Sequence, residues 1–215
     1  MQKKVLLTGF DAFGGASLNP SWLAVQALEG RKVLGHTVVA AQLPTVFDAS
    51  LRELDALLRQ HRPALVLCVG QAGGRKLMSL ERVAINVNDA PLADNAGAQP
   101  VDTPVVRDRD APVAYFTSLP IKAMLSALHE AGVGAEVSQT AGTFVCNHVF
   151  YGLMRTLATV PELRHTRGGF VHVPWLPEQG TPNMALDDIV RGLRVAVRSA
   201  LQVSKDTALG AGTTH

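Results

Sequence analysis

Two continuous apolar runs, residues 5–10 and 64–70, constrain this chain more than any other feature. A strand that is apolar on both faces must be covered on both faces, the condition met by a parallel sheet between helical layers. Both runs break into glycine-containing loops, Gly9-Phe10-Asp11-Ala12-Phe13-Gly14-Gly15 and Gln71-Ala72-Gly73-Gly74-Arg75. Residues 37–43, 80–89, 135–139 and 169–174 read as further strands. Between them run helical stripes. Asn19-Pro20 supplies an N-cap and a first-turn proline for a helix to about residue 28, with Trp22 and Val25 inward. Phe47, Leu51, Leu54 and Leu58 make a second stripe ending before Pro63. A third helix covers 121–131 and stops at Gly132, a fourth follows Cys146, and Thr181-Pro182 is expected to open a long last one. The pattern predicts an α/β fold, a single-domain three-layer α/β/α arrangement with a twisted, mostly parallel mixed sheet. The domain is expected over 1–203, followed by a small, polar, flexible tail at 204–215.

Composition removes several function classes. Hydrophobic residues make up 47% and charged residues 18%, ordinary for a soluble globule. No apolar run approaches the roughly 18 residues of a membrane span, and the lysine-bearing start is too short for a secretory signal. The formal charge is only +2 and the basic residues form no stripe, which argues against nucleic acid. Two cysteines, Cys68 and Cys146, cannot staple a secreted scaffold and fit a reducing cytoplasm. Cys68, inside an apolar run, reads as core.

Chemistry concentrates around Gly142-Thr143-Phe144-Val145-Cys146-Asn147-His148. Cys146 is expected in the first turn of a helix, where free N–H groups and the positive dipole end lower a thiol's pKa. Packing as a small apolar residue is the alternative. His172 lies within a strand and Glu81 near the start of another; singly, each has a structural reading as well. Together a cysteine, a histidine and an acid are what cysteine acyl transfer requires, although spacing alone does not bring them together. The first glycine loop lacks the G-x-G-x-x-G spacing of dinucleotide binding, and its phenylalanines are candidates for an apolar pocket or for pinning the loop. Residues 90–112 form a long irregular excursion, a kind of segment that often covers or builds sites.

The segments Thr8-Gly9-Phe10-Asp11-Ala12-Phe13-Gly14, Gly70-Gln71-Ala72-Gly73-Gly74-Arg75, Glu81-Arg82-Val83-Ala84-Ile85-Asn86, Gly142-Thr143-Phe144-Val145-Cys146-Asn147 and Phe170-Val171-His172-Val173-Pro174, in this order, closely resemble the cysteine-type pyroglutamyl peptidases. The resemblance implies a Glu81, Cys146 and His172 triad that removes N-terminal pyroglutamate from peptides without a metal or organic cofactor. It implies that Phe13 and Phe144 flank the lactam and that Phe10 lines the pocket. Backbone around Gln71 would supply the lactam's hydrogen bonds, with Thr45 and Val145 as further substrate-binding positions. A homotetramer is implied as well. One departure stands out: Pro91 occupies a position where the family commonly carries arginine. Two rival readings are a nucleoside phosphorylase-like enzyme, with Arg75 or Arg82 on phosphate, and a binding protein that retains the pocket without the chemistry.

Overall fold

The structure is a computed structural model that describes residues 3–212. In chain order its principal elements are β1 (Lys4–Phe10), α1 (Pro20–Gln26), β2 (Lys32–Val33), β3 (His36–Leu43), α2 (Ala49–His61), β4 (Leu65–Gln71), β5 (Met78–Glu81), β6 (Val83–Ile85), β7 (Ala114–Phe116), α3 (Ile121–Glu130), β8 (Ala135–Ser138), α4 (Val145–Thr159), β9 (Arg167–Val173) and α5 (Leu186–Gln202). Seven strands form one sheet in the order β2-β3-β1-β4-β9-β5-β8. The β2/β3 and β5/β9 pairs are antiparallel and the others parallel, so the sheet is mixed and mostly parallel, as the sequence predicts. Among the described residues no helix is long and apolar enough to cross a membrane.

The period of two along each strand sorts the core into two layers. Val5 and Leu7 of β1, Leu65, Leu67 and Val69 of β4, and Val171 and Val173 of β9 face a layer built with α1, α3 and α5. Leu6 and Phe10, Val66 and Cys68, and Phe170 face the opposite layer, with α2 and α4. His172 alternates with Val171 and Val173, so it shares the α4 side with Phe170; the two rings lie 4.9 Å apart. Glu81 follows Leu80, which belongs to the first layer, and so also faces α4. Two titratable side chains thus reach one face because of a parity visible in each strand.

Three expectations need correction. Residues 80–89 are not one strand: β5 leaves the main sheet at Arg82, and β6 pairs antiparallel with β7 in a separate ribbon. Alternation along the chain cannot reveal that change of partner, which depends on Asn147 holding the 85–87 backbone from α4. Phe47 precedes α2, which begins at Ala49. Thr181-Pro182 does not open α5. The helix starts after Ala185, without a side-chain cap, and Asp187 and Asp188 in its first turn complement the dipole instead. The preceding segment is tied back by Met184 N–H donating to the Trp175 carbonyl at 2.9 Å. Beyond α5, Asp206 accepts from the Lys122 and Ala123 N–H groups at 3.1 and 3.0 Å and so caps α3. The last three residues of the expected tail, 213–215, lie outside the described residues.

Candidate active site

Cys146 is the second residue of α4, in the first turn, as the sequence predicts. Phe144 is the N-cap residue and gives no side-chain cap, and the first N–H groups of a helix have no intrahelical acceptor. The helix is anchored at this end by Asn147, whose amide donates to the Ile85 and Val87 carbonyls at 2.9 Å each and accepts from Ile85 N–H at 3.0 Å. A buried side chain here replaces a neighbouring strand, fixing α4 against β6.

The thiol points at the sheet where β4 meets β9. Gly70 is the register partner of His172. A methyl group at position 70 would lie 2.8 Å from Cys146 Sγ and 2.8 Å from the Phe170 ring, so only glycine leaves room for the sulfur above the strand. Gly70→Ala is therefore expected to displace the thiol, lowering kcat roughly 10- to 100-fold, the scale of an ångström's misplacement of a reacting group. Unfolding in urea should show a cost of about 1–3 kcal/mol for the overpacking. A variant with parental kcat would contradict this placement of Sγ.

Glu81 is fully buried and reaches His172 diagonally across the β5/β9 pair, with Nδ1 and Oε1 2.8 Å apart. Arg75 donates to the same Oε1 at 2.7 Å, to Ser138 Oγ at 3.4 Å and to the Thr140 carbonyl at 3.1 Å. A carboxylate paired with a guanidinium can only accept, so the Nδ1 of His172 carries a proton, and in the neutral ring Nε2 is the nitrogen with the lone pair. The structure therefore assembles a line from Arg75 through Glu81 to His172. Cys146 stands over the residue paired with His172.

The direction of the thiol's pKa shift is opposite to the expected lowering. Cys146 keeps partial exposure, yet burial of its sulfur pushes the thiol up to about 12; the Glu81 charge adds to the rise and Arg75 opposes it. Desolvation is the largest cause, because packed groups around the sulfur disfavour the charged thiolate. Burial thus favours the protonated thiol, which stands over Gly70, the register partner of His172. Cys68, fully buried, is likewise pushed up to about 12 and belongs to the core as expected.

Aromatic rings make one wall. Phe13 and Phe144 are brought together, with centroids 6.0 Å apart, and Phe47 meets Phe144 edge-on at 5.4 Å. Phe10 is buried and packs on Phe170 at 6.3 Å. Val145 is also fully buried, leaving its backbone rather than its side chain at the helix start. Thr45 lies in the loop before α2, its N–H donating to Asp11 Oδ1 at 2.6 Å. Gln71 ends β4, and its side chain accepts from Gln179 at 3.1 Å. The 90–112 excursion supports this wall. Buried Asp94 accepts from Phe47 N–H at 2.9 Å, Asn95 N–H donates to the Thr45 carbonyl at 3.1 Å, and Asp89 N–H donates to the Thr143 carbonyl at 3.0 Å. Pro91 lies two residues beyond that last clamp.

Sequence reasoning missed the roles of Arg75, Phe47, Asn147 and His148. Arg75 stands in a quoted segment, but only the fold shows it facing Glu81. In the phosphorylase reading it would hold phosphate, whereas here it is engaged by Glu81, Ser138 and Thr140. Arg82 lines a different cavity, with Phe116 to Ile121. His148 is buried between loops: it accepts from Asp48 N–H at 3.0 Å through Nε2, so its Nδ1–H donates to Asn88 Oδ1 at 3.0 Å. Burial pulls its pKa down to about 4, with Asp48 opposing. The folded pKa is thus below the unfolded value of about 6.5. The stability this gives is fully present above about pH 6.5 and is lost between about 6.5 and 4, by up to about 1.4 kcal/mol per pH unit. Urea unfolding across that window is expected to show the slope, and His148→Gln to flatten it; equal slopes would remove His148 as its source.

A family profile described as pyroglutamyl peptidase matches residues 3–203. The chain is 56% identical to the pyrrolidone-carboxylate peptidase of Cupriavidus taiwanensis, over 98% of this chain and 99% of that one. It is 50% identical to the pyrrolidone-carboxylate peptidase of Bacillus cytotoxicus, over 99% and 100%. In structure it is similar to the pyroglutamyl peptidase I of Bacillus amyloliquefaciens, with a TM-score of 0.93 at 46% identity, covering 98% of this chain and 100% of that one. It is also similar to the pyrrolidone carboxyl peptidase of Thermococcus litoralis, at 0.88 and 31%, covering 93% and 94%. These likenesses give no support to the phosphorylase or binding-protein readings. With sequence and fold in agreement over nearly its whole length, the chain belongs to the pyroglutamyl peptidase family.

Proposed function

We propose that the protein is a cysteine exopeptidase that removes an N-terminal pyroglutamyl residue from peptides, with Cys146 as nucleophile, His172 as general base and acid, and Glu81 as the group that orients His172. The observation that carries this is the Glu81 to His172 hydrogen bond beside the glycine that makes room for Cys146 Sγ. His172 Nε2 takes the thiol proton as sulfur attacks the pyroglutamyl carbonyl carbon. N–H groups in the uncapped first turn of α4 hold the oxyanion. The imidazolium, stabilised by Glu81, gives its proton to the leaving amine as the C–N bond breaks, and a thioester remains. Water then attacks the thioester with His172 again as base, releasing pyroglutamate and restoring the thiol.

Phe13 and Phe144 form the apolar sides of the acyl pocket, with Phe10 lining it and Phe47 packed against Phe144. Backbone at Gln71 and Val145 pairs the lactam, and Thr45 closes the wall. A free α-ammonium would lose its hydration there without an ionic partner, which excludes ordinary N-termini. Hydrolysis of pyroglutamyl, prolyl and glutamyl amides bearing the same fluorescent leaving group tests the reading. Turnover of the first alone is expected, whereas comparable turnover of prolyl amide would show that the pocket does not read the lactam carbonyl. The same reading makes residues 1–203 the peptidase domain, with the rest a tail, and puts the enzyme in the cytoplasm, which its two free cysteines suit. It also makes the enzyme a homotetramer, for which exposed Val113 and Phe116 around β7 offer apolar surface.

A further inference from the structure

We propose, resting on the peptidase reading above, that a cavity beside the acyl pocket binds the residue following pyroglutamate, and that Glu178 at its rim favours a basic side chain there. The cavity measures about 710 Å³ and is lined by Phe13, Gln71, Leu92, Trp175, Glu178 and Gln179, together with the loop over residues 14–18 and Gly73. That volume is far more than a single lactam needs and lies in the range that holds drug-sized ligands. Phe13 and Gln71 also belong to the acyl pocket, so the two spaces share a wall. The side on which the leaving peptide exits follows from the proton it needs. His172 must protonate the leaving amine, and Trp175 to Gln179 continue the chain directly beyond β9, the strand that carries His172.

The wall is held by packing and hydrogen bonds within the chain. A methyl group on Gly73 would lie 2.3 Å from the Trp175 ring, so the indole rests directly on that backbone. Gly180 meets another edge of the same ring, where an added methyl would be 3.2 Å away. Gln179 donates to Gln71 Oε1 at 3.1 Å and accepts from Leu176 N–H at 3.0 Å, tying this loop to the end of β4. Among the described residues of the lining, Glu178 is the only ionisable one. A guanidinium or ammonium could place its aliphatic stem along Leu92 and the indole while its head meets the carboxylate. Glu178 is exposed, so the discrimination is modest and weakened by salt.

The test compares kcat/KM for pyroglutamyl peptides that differ only in arginine or its neutral isostere citrulline at the second position, in the parent and in Glu178→Gln, at low and high salt. The parent is expected to prefer arginine roughly two- to fivefold, the scale of an exposed ion pair. The preference should shrink in high salt and fall to about one in Glu178→Gln. Trp175→Ala should raise KM for both peptides more than for a pyroglutamyl arylamide that lacks a second residue. A parent that hydrolyses the arylamide but shows no arginine preference, or keeps it in Glu178→Gln, overturns the subsite alone. A parent that hydrolyses none of the substrates overturns the peptidase reading beneath it as well.

Discussion

Cys146→Ser is expected to lose turnover of pyroglutamyl amide by roughly 10⁴-fold or more, the scale seen when a nucleophile acting as part of a unit is removed. The hydroxyl would sit over Gly70 in the same first turn of α4, so the fold and the acyl pocket should be kept. What changes is the proton. The thiol is already pushed up to about 12 by burial, and a serine hydroxyl in the same dry position is harder still to deprotonate. Arg75, the cation that favours the thiolate, is committed to Glu81. The variant should bind a pyroglutamyl ligand with near-parental affinity while its kcat collapses, and steady-state kinetics beside equilibrium binding would show it. Loss of binding together with kcat would mean that Cys146 shapes the pocket instead of attacking.

The second large effect is that of Glu81→Gln, expected to lower kcat by about 10³- to 10⁴-fold, as when the acid of a triad becomes an amide. One oxygen of Glu81 serves both His172 and Arg75, and its other oxygen, buried, has no partner among the described residues. A neutral amide would leave the imidazolium that forms during attack without its counter-charge. It would also offer an N–H where His172 needs an acceptor, which selects the wrong tautomer. The thiol should respond in the opposite sense. The Glu81 charge raises the Cys146 pKa, so removing it lowers that pKa, and alkylation of the resting thiol by iodoacetamide should hold or quicken while turnover falls. A parallel fall in both rates would assign Glu81 to general integrity of the site.

Much of this architecture was legible because its signals are local. Continuous apolar runs marked β1 and β4, the Asn19-Pro20 cap marked α1, where Asn19 Oδ1 accepts from Ser21 N–H at 3.1 Å, and Cys146 fell in a first turn. What stayed hidden depends on partners distant in sequence. Nothing around Glu81 announces that its strand lies antiparallel beside His172, 91 residues on. Nothing around Arg82 announces that the chain leaves the main sheet there. Combining the separate residues into one site needed the resemblance of several ordered segments to a known family. Even that did not reveal that Gly70 is the floor under the sulfur, or that Asn147 stands in for a strand. The thiol's pKa was misjudged for a different reason: a helix N-terminus is readable in sequence, but the depth at which the sulfur is buried is not.

The central claim is that a pyroglutamyl thioester forms on Cys146. Rapid acid quenching of the enzyme during turnover of a pyroglutamyl amide, followed by digestion and mass spectrometry, tests it directly. The account predicts the mass of one pyroglutamyl acyl group on the peptide containing Cys146, removed by hydroxylamine and missing in Cys146→Ser. An acyl group on another residue, or undiminished turnover in Cys146→Ser, would contradict it.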